Sequence, residues 1–261
     1  MLLAIDVGNT NIVLGVFDDG RLTHSWRLAT LRERTADEMG ILVRQLFESN
    51  RMDASRIHGI IISSVVPPLT RTMEDMAREY FNREPLTVDP AANAGMPVLY
   101  NPPSDVGADR VVNAVAAYEL YGRAPKRPLI VVDFGTATTF DAISAAGEYV
   151  GGVICPGIGI SADALFQRAA RLPRVDVRKP PTVVGRTTVT SMQSGLFFGY
   201  VSMVDGIVQR MRDEMPSGAD AECIATGGMA GVLAGETTSI QRVEPELTLM
   251  GLKLIWERAG A

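Results

Sequence analysis

The segment over residues 127–157, RPLIVVDFGTATTFDAISAAGEYVGGVICPG, decides the fold class. It contains an apolar strand, a turn that carries Asp133 and Gly135, and two further strand candidates separated by turn residues. The N-terminal stretch LLAIDVGNTNIVLGVFDDG follows the same plan, with Asp6 near the end of its first strand and Gly8 two residues later. Because the second copy begins near the middle of the 261 residues, we predict two halves built on one plan.

Helices and short strands are predicted between and after these two segments. Capping boxes, in which a hydroxyl residue precedes Glu or Gln by three positions, predict helix starts at Thr35 and Thr190. Another helix starts near Asp109, after a Pro-, Gly- and Asn-rich stretch over residues 90–105 that we predict to be a long loop. The helices that start at Thr35 and Thr190 are predicted to span residues 35–50 and 190–215, and two others span residues 69–82 and 246–258.

Composition and charge exclude several classes of protein. The chain has 46% hydrophobic and 21% charged residues, as globular proteins do, and its net charge of −5 argues against nucleic acid as the main partner. No apolar run approaches the roughly 18 residues of a membrane helix, and the first residues lack the features of a signal peptide. Cys155 and Cys223 give neither a disulfide framework nor metal-ligand spacing. We therefore expect a cytoplasmic protein without membrane or nucleic-acid partners.

The two Asp-x-Gly turns have the chemistry of a phosphate site. Glycine lets backbone N–H groups approach phosphate oxygens closely, and Thr and Asn side chains add neutral donors. A carboxylate repels phosphates unless a cation lies between them, so Asp6 and Asp133 imply bound cations. The alternative is that each turn is an ordinary hairpin connector that the Asp caps. The presence of one such turn in each half favours phosphate binding.

Other nucleotide and hydrolase motifs are absent. A P-loop requires Gly-Lys-Ser or Gly-Lys-Thr, and no such triplet occurs. The first strand is not followed by the Gly-x-Gly-x-x-Gly of dinucleotide sites. His24 and His58 lie in strand-like runs and no nucleophile elbow is present, so a Ser-His-Asp hydrolase is not predicted.

Two halves that each begin with a three-stranded meander and an Asp-x-Gly turn resemble the actin-like ATPase and sugar-kinase superfold. The resemblance implies a duplicated actin-like (ribonuclease H-like) α/β fold, with two mixed five-stranded sheets, flanking helices and a nucleotide cleft between halves 1–122 and 123–261. In that superfold the Gly-Gly-Met turn at 227–229 would lie under the adenosine. Its alternative role is simple punctuation between a strand and a helix.

Five motifs make the resemblance more specific. In chain order they are DVGNTN at 6–11, GADR at 107–110, DFGTATT at 133–139, GGVICPG at 151–157 and TTVTSMQSG at 187–195. Together they closely resemble type III pantothenate kinase, which phosphorylates pantothenate with ATP in the first step of coenzyme A synthesis. The resemblance extends from residue 1 to about residue 258.

The resemblance implies a role for each motif. Asp133 would bind the potassium or ammonium ion that the family requires, and Asp109 would accept the proton of the substrate hydroxyl. Thr136 and the first turn would bind ATP, which brings a divalent cation such as Mg²⁺; the residues of that turn are Asp6, Val7, Gly8, Asn9, Thr10, Asn11, Ile12 and Val13. The implied pantothenate contacts are Tyr100, Gly107, Ala108, Asp109, Arg110 and Thr188.

Each substrate residue also has a structural alternative. Asp109 could be an ordinary helix N-cap. Arg110 either binds an anionic substrate through its bidentate guanidinium or forms a surface salt bridge. Thr188 is either a substrate contact or a turn residue at a helix start, and Tyr100 is either a substrate contact or part of the loop wall.

The resemblance also bears on assembly and on competing functions. Type III pantothenate kinases are dimers, and the helix over 190–215 is so apolar that one monomer core would not cover it, which predicts a homodimer. Accessory transcription factors of the Bvg type resemble the family and would bind without turnover, but a pure binding protein has little need of the GADR carboxylate. Actin-type filament or chaperone ATPases are generally longer, and sugar or acetate kinases lack this motif set.

Overall fold

The computed structural model describes residues 1–260, which form two compact units with one five-stranded sheet each. The first unit contains Met1–Ala116 and the chain from Leu247 onward, and the second contains Ala117–Glu246. The strands are β1 (Leu2–Val7), β2 (Asn11–Asp18), β3 (Arg21–Ala29), β4 (Gly59–Ser64), β5 (Leu86–Thr87), β6 (Leu129–Phe134), β7 (Ala137–Ile143), β8 (Tyr149–Pro156), β9 (Glu222–Thr226) and β10 (Arg242–Val243). The helices are α1 (Ala36–Ser49), α2 (Pro67–Phe81), α3 (Ala108–Ala117), α4 (Ile158–Arg168), α5 (Thr188–Glu214), α6 (Ala230–Leu233) and α7 (Leu247–Arg258).

The two sheets have the same topology. The first has the order β3-β2-β1-β4-β5, and the second has the equivalent order β8-β7-β6-β9-β10. In each, the first three strands along the chain form an antiparallel meander and the last two add in parallel. The predicted duplication, with two mixed five-stranded sheets and flanking helices, is therefore confirmed.

Helices cover both faces of the first sheet. One face forms a core with α1 and α2, in which Ile5 and Ile62 pack with Phe47 and Met73. On the other face, α7 places Leu249 against Gly15 and Trp256 against Gly59. The predicted division at residue 122 assigned this C-terminal helix to the second half, whereas the structure packs it on the first sheet. The sequence repeat ends before α7 and therefore did not reveal its partner.

The start of α5 differs from the prediction. Thr187 is the N-cap: its Oγ1 accepts from the Thr190 backbone N–H at 3.2 Å, and Thr190 Oγ1 accepts from the Thr187 N–H at 3.0 Å. The capping box predicted between Thr190 and Gln193 was wrong, because a threonine hydroxyl performs the role expected of Gln. Gln193 is buried and donates to the Asp176 carbonyl instead. The other predicted box, between Thr35 and Glu38, is confirmed by both of its hydrogen bonds.

The apolar residues of α5 are largely covered by the chain's own second unit. Phe197, Tyr200 and Val204 pack against Val132 and Phe140 of the sheet. Gly195, Gly199 and Ser202 form the exposed side of the helix. The helix is thus amphipathic rather than apolar all round, and its burial does not by itself require a second chain. Although α5 has 27 residues, no helix within residues 1–260 has both the length and the hydropathy to cross a bilayer.

Candidate functional site

The first Asp-x-Gly turn connects β1 and β2 and is held by the residue that follows β3. The Gly8 N–H donates to the Asn11 carbonyl at 3.0 Å. Thr30 donates its backbone N–H to the Thr10 carbonyl at 3.0 Å and its hydroxyl to the Gly8 carbonyl at 2.7 Å. Asn9 and Thr10 are exposed at the tip of the turn. The backbone of the turn is therefore held in place by hydrogen bonds, and its exposed outer side is accessible to a ligand.

Two further features of this turn limit what its residues can do. Val7 and Ile12 have no exposed surface, so their side chains belong to the core and do not face the outer side of the turn. Arg32 lies two residues past Thr30, and its Nη2 is 3.4 Å from Asn9 Oδ1. Arg32 was not predicted as a site residue, although the register of the β2–β3 hairpin brings the end of β3 to this turn. Its charge would favour phosphate at the turn.

The second turn connects β6 and β7 and repeats this construction. The Gly135 N–H donates to the Ala137 carbonyl at 3.0 Å, and the Gly157 N–H donates to the Thr136 carbonyl at 3.1 Å. Gly157 follows β8 as Thr30 follows β3, so equivalent positions hold the two turns. A Cβ at Gly157 would lie 2.2 Å from the Thr136 oxygen, which makes glycine necessary there. Thr136 is exposed at the tip.

Asp133 lies at the base of the second turn beside the Gly-Gly-Met turn that follows β9. Gly227 has a φ of +91°, and a Cβ there would lie 2.4 Å from Asp133 Oδ1. The turn at 227–229 therefore needs glycine to approach the carboxylate. Within residues 1–260, no three His, Cys, Asp or Glu side chains cluster as a metal site would require. A cation at Asp133 would take its other ligands from backbone oxygens, hydroxyls, water or phosphate, which suits a hard cation.

The GADR motif forms the start of α3. Because the helix begins at Ala108, Asp109 lies within the first turn and is not the N-cap residue. Its Oδ1 accepts from the Arg110 backbone N–H at 2.8 Å. Burial raises the pKa of the Asp109 carboxyl above its ordinary value, and the Arg110 N–H and positive charge oppose this only in part. A carboxylate with a raised pKa is a better proton acceptor than an exposed one.

The start of α3 lies at the edge of the first sheet where β1 and β4 end. A Cβ at Gly107 would lie 2.6 Å from Asp109 Oδ1 and 3.4 Å from Val65 Cγ1. Val65 directly follows β4, and its N–H donates to the Val7 carbonyl at the end of β1 at 3.1 Å. Asp109 and the first Asp-x-Gly turn therefore share one edge of the sheet.

The other predicted substrate residues of the first unit differ in exposure. Arg110 has only 7% of its surface exposed, which excludes the alternative of a surface salt bridge. Tyr100 is half-buried in the long segment between β5 and α3, which is irregular apart from a short 3₁₀ turn at Pro103–Asp105.

Thr188, the first residue of α5, lines an open cavity of about 850 Å³ in the second unit. Leu165, Leu172 and Leu196 supply apolar wall, and Thr187, Thr188 and Ser191 supply hydroxyls. Arg186 is the one charged residue of the lining, and its side chain is exposed. The cavity therefore suits a small anion with an aliphatic body. A second cavity, of about 630 Å³ on the outer side of α2, is lined by acidic and basic residues that pair with one another.

The predicted residues are divided between the two units. Residues 6–13, Tyr100 and residues 107–110 belong to the first unit, and Asp133, Thr136 and Thr188 belong to the second. Arg32 and Arg186 join these residues as basic side chains that the sequence did not single out.

Comparisons with known proteins give one consistent result. The sequence model of the type III pantothenate kinase family matches residues 2–210. A type III pantothenate kinase from Koribacter versatilis is 54% identical over 268 residues, covering 99% of this chain and 96% of the relative. One from Myxococcus xanthus is 54% identical over 261 residues and covers both chains completely.

Solved structures with lower sequence identity share the fold. A structure described as a Baf family transcriptional activator from Campylobacter jejuni has a TM-score of 0.61 at 19% identity, covering 99% of this chain and 98% of that one. The polyphosphate/ATP-glucomannokinase from Arthrobacter sp. strain KM has a TM-score of 0.52 at 16% identity, with 98% of each chain covered. These likenesses show the sugar-kinase type of fold that the sequence predicted.

Proposed function

The chain belongs to the type III pantothenate kinase family. On that premise we propose the role of each site residue in the phosphorylation of pantothenate. The activity of the chain is phosphorylation of pantothenate in coenzyme A biosynthesis, with ATP as the donor. The alternative of a Bvg-type factor that binds without turnover is not favoured, because the full-length relatives at 54% identity are kinases. The likeness to the Baf family structure, at 19% identity, concerns the fold alone.

Asp109 is the proposed general base. Its carboxylate accepts the proton of the pantothenate primary hydroxyl while that oxygen bonds to the γ-phosphorus of ATP. The bond from γ-phosphorus to the bridging oxygen breaks, which releases ADP and leaves 4′-phosphopantothenate. Because the transition state of phosphoryl transfer is loose, the main task of the base is to orient the hydroxyl in line. The observation that carries this role is the position of Asp109 at the same sheet edge as the first turn, with a pKa raised by burial.

The two turns are the proposed ATP contacts. Residues 6–13 would present backbone N–H groups and the Asn9 and Thr10 side chains to the phosphates, and Thr136 would do so in the second unit. Support comes from their matched construction, in which the residue after the third strand fixes each turn. Asp6 would lie near the divalent cation of ATP, which neutralises phosphate charge. Asp133 would bind potassium or ammonium for the same purpose.

Pantothenate is the proposed ligand of the remaining residues. It carries a carboxylate at one end and the reactive hydroxyl at the other. Residues 107–110 and Tyr100 would bind the part near the hydroxyl, and Thr188 would bind within the cavity at the start of α5. The lining of that cavity supports this, since Arg186 is a cation suited to a carboxylate and the leucines suit an aliphatic body.

The assembly and location of the enzyme are also proposals. We propose a homodimer that works in the cytoplasm, where ATP is available, without nucleic-acid or membrane partners. The support for a dimer is the exposed apolar surface of the second unit, which includes Ile154 on β8 and Phe166 on α4.

A coupled assay for ADP release tests the function and the cations together. Activity should require both ATP and pantothenate, and replacement of potassium by choline should remove most of it. In every salt, Asp133→Ala should have the same low activity as the wild type has in choline. ATP binding without any pantothenate-dependent ADP release would instead support the binding-protein alternative, and full activity in choline would contradict the role of Asp133.

A further inference from the structure

Two neighbouring serines at the end of β4 have opposite surroundings. The Ser64 hydroxyl has hydrogen-bond partners: its Oγ accepts from the Val66 backbone N–H at 3.2 Å and from the Thr70 hydroxyl at 2.8 Å. Ser63 has no exposed surface, and its Oγ has no hydrogen-bond partner among residues 1–260. Because side chains alternate along a strand, the two hydroxyls lie on opposite faces of the sheet.

A partnerless hydroxyl at this position needs an explanation. Burying a polar group without a hydrogen bond destabilises the native state, so each such group in a native protein calls for a specific explanation. The three preceding residues, Ile60, Ile61 and Ile62, are fully buried and apolar, so an alanine would serve the packing better than Ser63. Because Ser63 has no exposed surface, a group that accepts its hydrogen bond has to come from its immediate surroundings.

The neighbour of Ser63 in register on β1 is Asp6. Adjacent strands lie about 4.8 Å apart, so paired residues present their side chains next to one another on the same face. Asp6 is half-buried at the base of the first turn, where the phosphates of ATP are proposed to bind. Asp6 is therefore the carboxylate that the strand register places beside the Ser63 hydroxyl.

The second half of the molecule contains the same pair. On the parallel strand next to Asp133, the residue in register is Thr226, which is 2% exposed. Both halves thus place a buried hydroxyl beside the Asp that comes next to last in the central strand. The repetition of this pair indicates a role tied to the carboxylate rather than to the packing of one sheet.

We propose that Ser63 is a positioning residue, which donates a hydrogen bond to the Asp6 carboxylate when ATP and its divalent cation bind. The bond fixes one rotamer of Asp6, so that the carboxylate can face the cation. Hydrogen bonds of this kind commonly tighten only in the liganded complex. The inference rests on the proposed role of the first turn, and it is independent of the identity of the phosphoryl acceptor.

The test compares Ser63→Ala with Ser64→Ala in the full-length protein. Binding of ADP is measured by calorimetry with Mg²⁺ and with EDTA, and thermal unfolding is measured without nucleotide. Ser63→Ala should weaken ADP binding at least fivefold with Mg²⁺ but leave it unchanged in EDTA, and its Tm should equal or exceed that of the wild type. Ser64→Ala should lower the Tm because it removes two hydrogen bonds, while its affinity for ADP with Mg²⁺ stays at the wild-type value.

Second variants keep the test decisive if Ser63→Ala does not fold. Ser63→Thr, which copies the hydroxyl of the second half, should retain wild-type binding, and Ser63→Cys, whose thiol is a weak donor, should show the loss. Wild-type affinity with Mg²⁺ in Ser63→Ala or Ser63→Cys would overturn the proposal, as would an equal loss in EDTA. A protein that binds ADP with Mg²⁺ but does not phosphorylate pantothenate would refute the proposed substrate and leave the role of Ser63 standing.

Discussion

Asp109 combines a position at the start of α3 with a carboxyl whose pKa is raised by burial. Asp109→Asn keeps the size and the acceptor oxygen for the Arg110 N–H but cannot take a proton. We expect kcat to fall by roughly 10²–10⁴-fold with binding of ADP nearly unchanged. Asp105→Asn, at an exposed carboxylate shortly before the motif, is the control and should leave kcat unchanged. If kcat in Asp109→Asn stays within a few-fold of the wild type, Asp109 is not the base.

The raised pKa of Asp109 also predicts a pH dependence of stability. The native state holds the proton more tightly than the unfolded chain, so this group stabilises the native state at pH values below its unfolded pKa. That contribution is lost as the pH rises through the native pKa. Asp109→Asn has no such loss, so its Tm relative to the wild type should increase as the pH rises above the unfolded pKa of about 4. Thermal unfolding across this range measures the difference, and a difference that does not change with pH would contradict the assignment.

Arg186 should determine whether the substrate needs a carboxylate. Arg186→Met removes the charge from the lining of the cavity while keeping an unbranched, apolar side chain. The KM for pantothenate should rise roughly tenfold to hundredfold, the size expected for loss of a charged hydrogen bond. The KM for pantothenyl alcohol, which lacks the carboxylate, should stay constant. Arg178→Met, at an exposed arginine that does not line the cavity, is the control. Equal effects on both substrates would exclude recognition of the carboxylate by Arg186.

Among the elements, the turn between β6 and β7 depends on close contact with the start of α4. Gly157→Ala would place a methyl group 2.2 Å from the Thr136 oxygen, so the backbone must shift. We expect unfolding free energy to fall by roughly 1–3 kcal/mol and binding of ADP to weaken. Gly159→Ala is the matched control two residues later, since nothing lies within 4 Å of its Cβ and Ala favours the helix. Urea unfolding and calorimetry measure both effects, and equal behaviour of the two variants would show that the close contact between Gly157 and Thr136 does not matter.

Local signals predicted most elements, and tertiary packing explains the exceptions. Each copy of the repeat, and the Thr35 capping box, depends on residues close in sequence, and the structure confirms both predictions. The sequence TTVTSMQ allows two capping registers, and only the fold shows that Thr187 is the N-cap of α5. The partner of α7 is equally non-local, because its contacts with the first sheet involve strands more than 190 residues earlier.

Site residues within a contiguous motif could be predicted from the sequence. Site residues that only the tertiary structure brings together could not. Gly107 and Asp109 were found because GADR is contiguous. Arg32 comes to the first turn through the β2–β3 hairpin, and Arg186 reaches its cavity through the start of α5. Ser63 lies in an apolar strand, and only the register with β1 relates it to Asp6. Basic and polar residues that lie outside a contiguous motif can therefore be assigned to the site only from the structure.

The exposed apolar residues of the second unit bear on assembly. Ile154, on the edge strand β8, is 62% exposed, and Phe166 on α4 is 46% exposed. An edge strand with exposed apolar side chains is a surface that proteins usually cover. Because the apolar residues of α5 are largely covered by their own unit, we expect β8 and α4 to form the main contact of the homodimer.

Light scattering at micromolar concentration should give about twice the chain mass of 28.1 kDa. Ile154→Lys with Phe166→Asp should shift the mass to that of one chain, since charges at a buried contact lack partners. Ile41→Lys alters an equally exposed apolar residue on α1 of the first unit and should leave the dimer intact. A wild-type protein that stays at 28.1 kDa would refute the dimer, whereas a dimer that survives the double substitution would place its contact elsewhere on the surface.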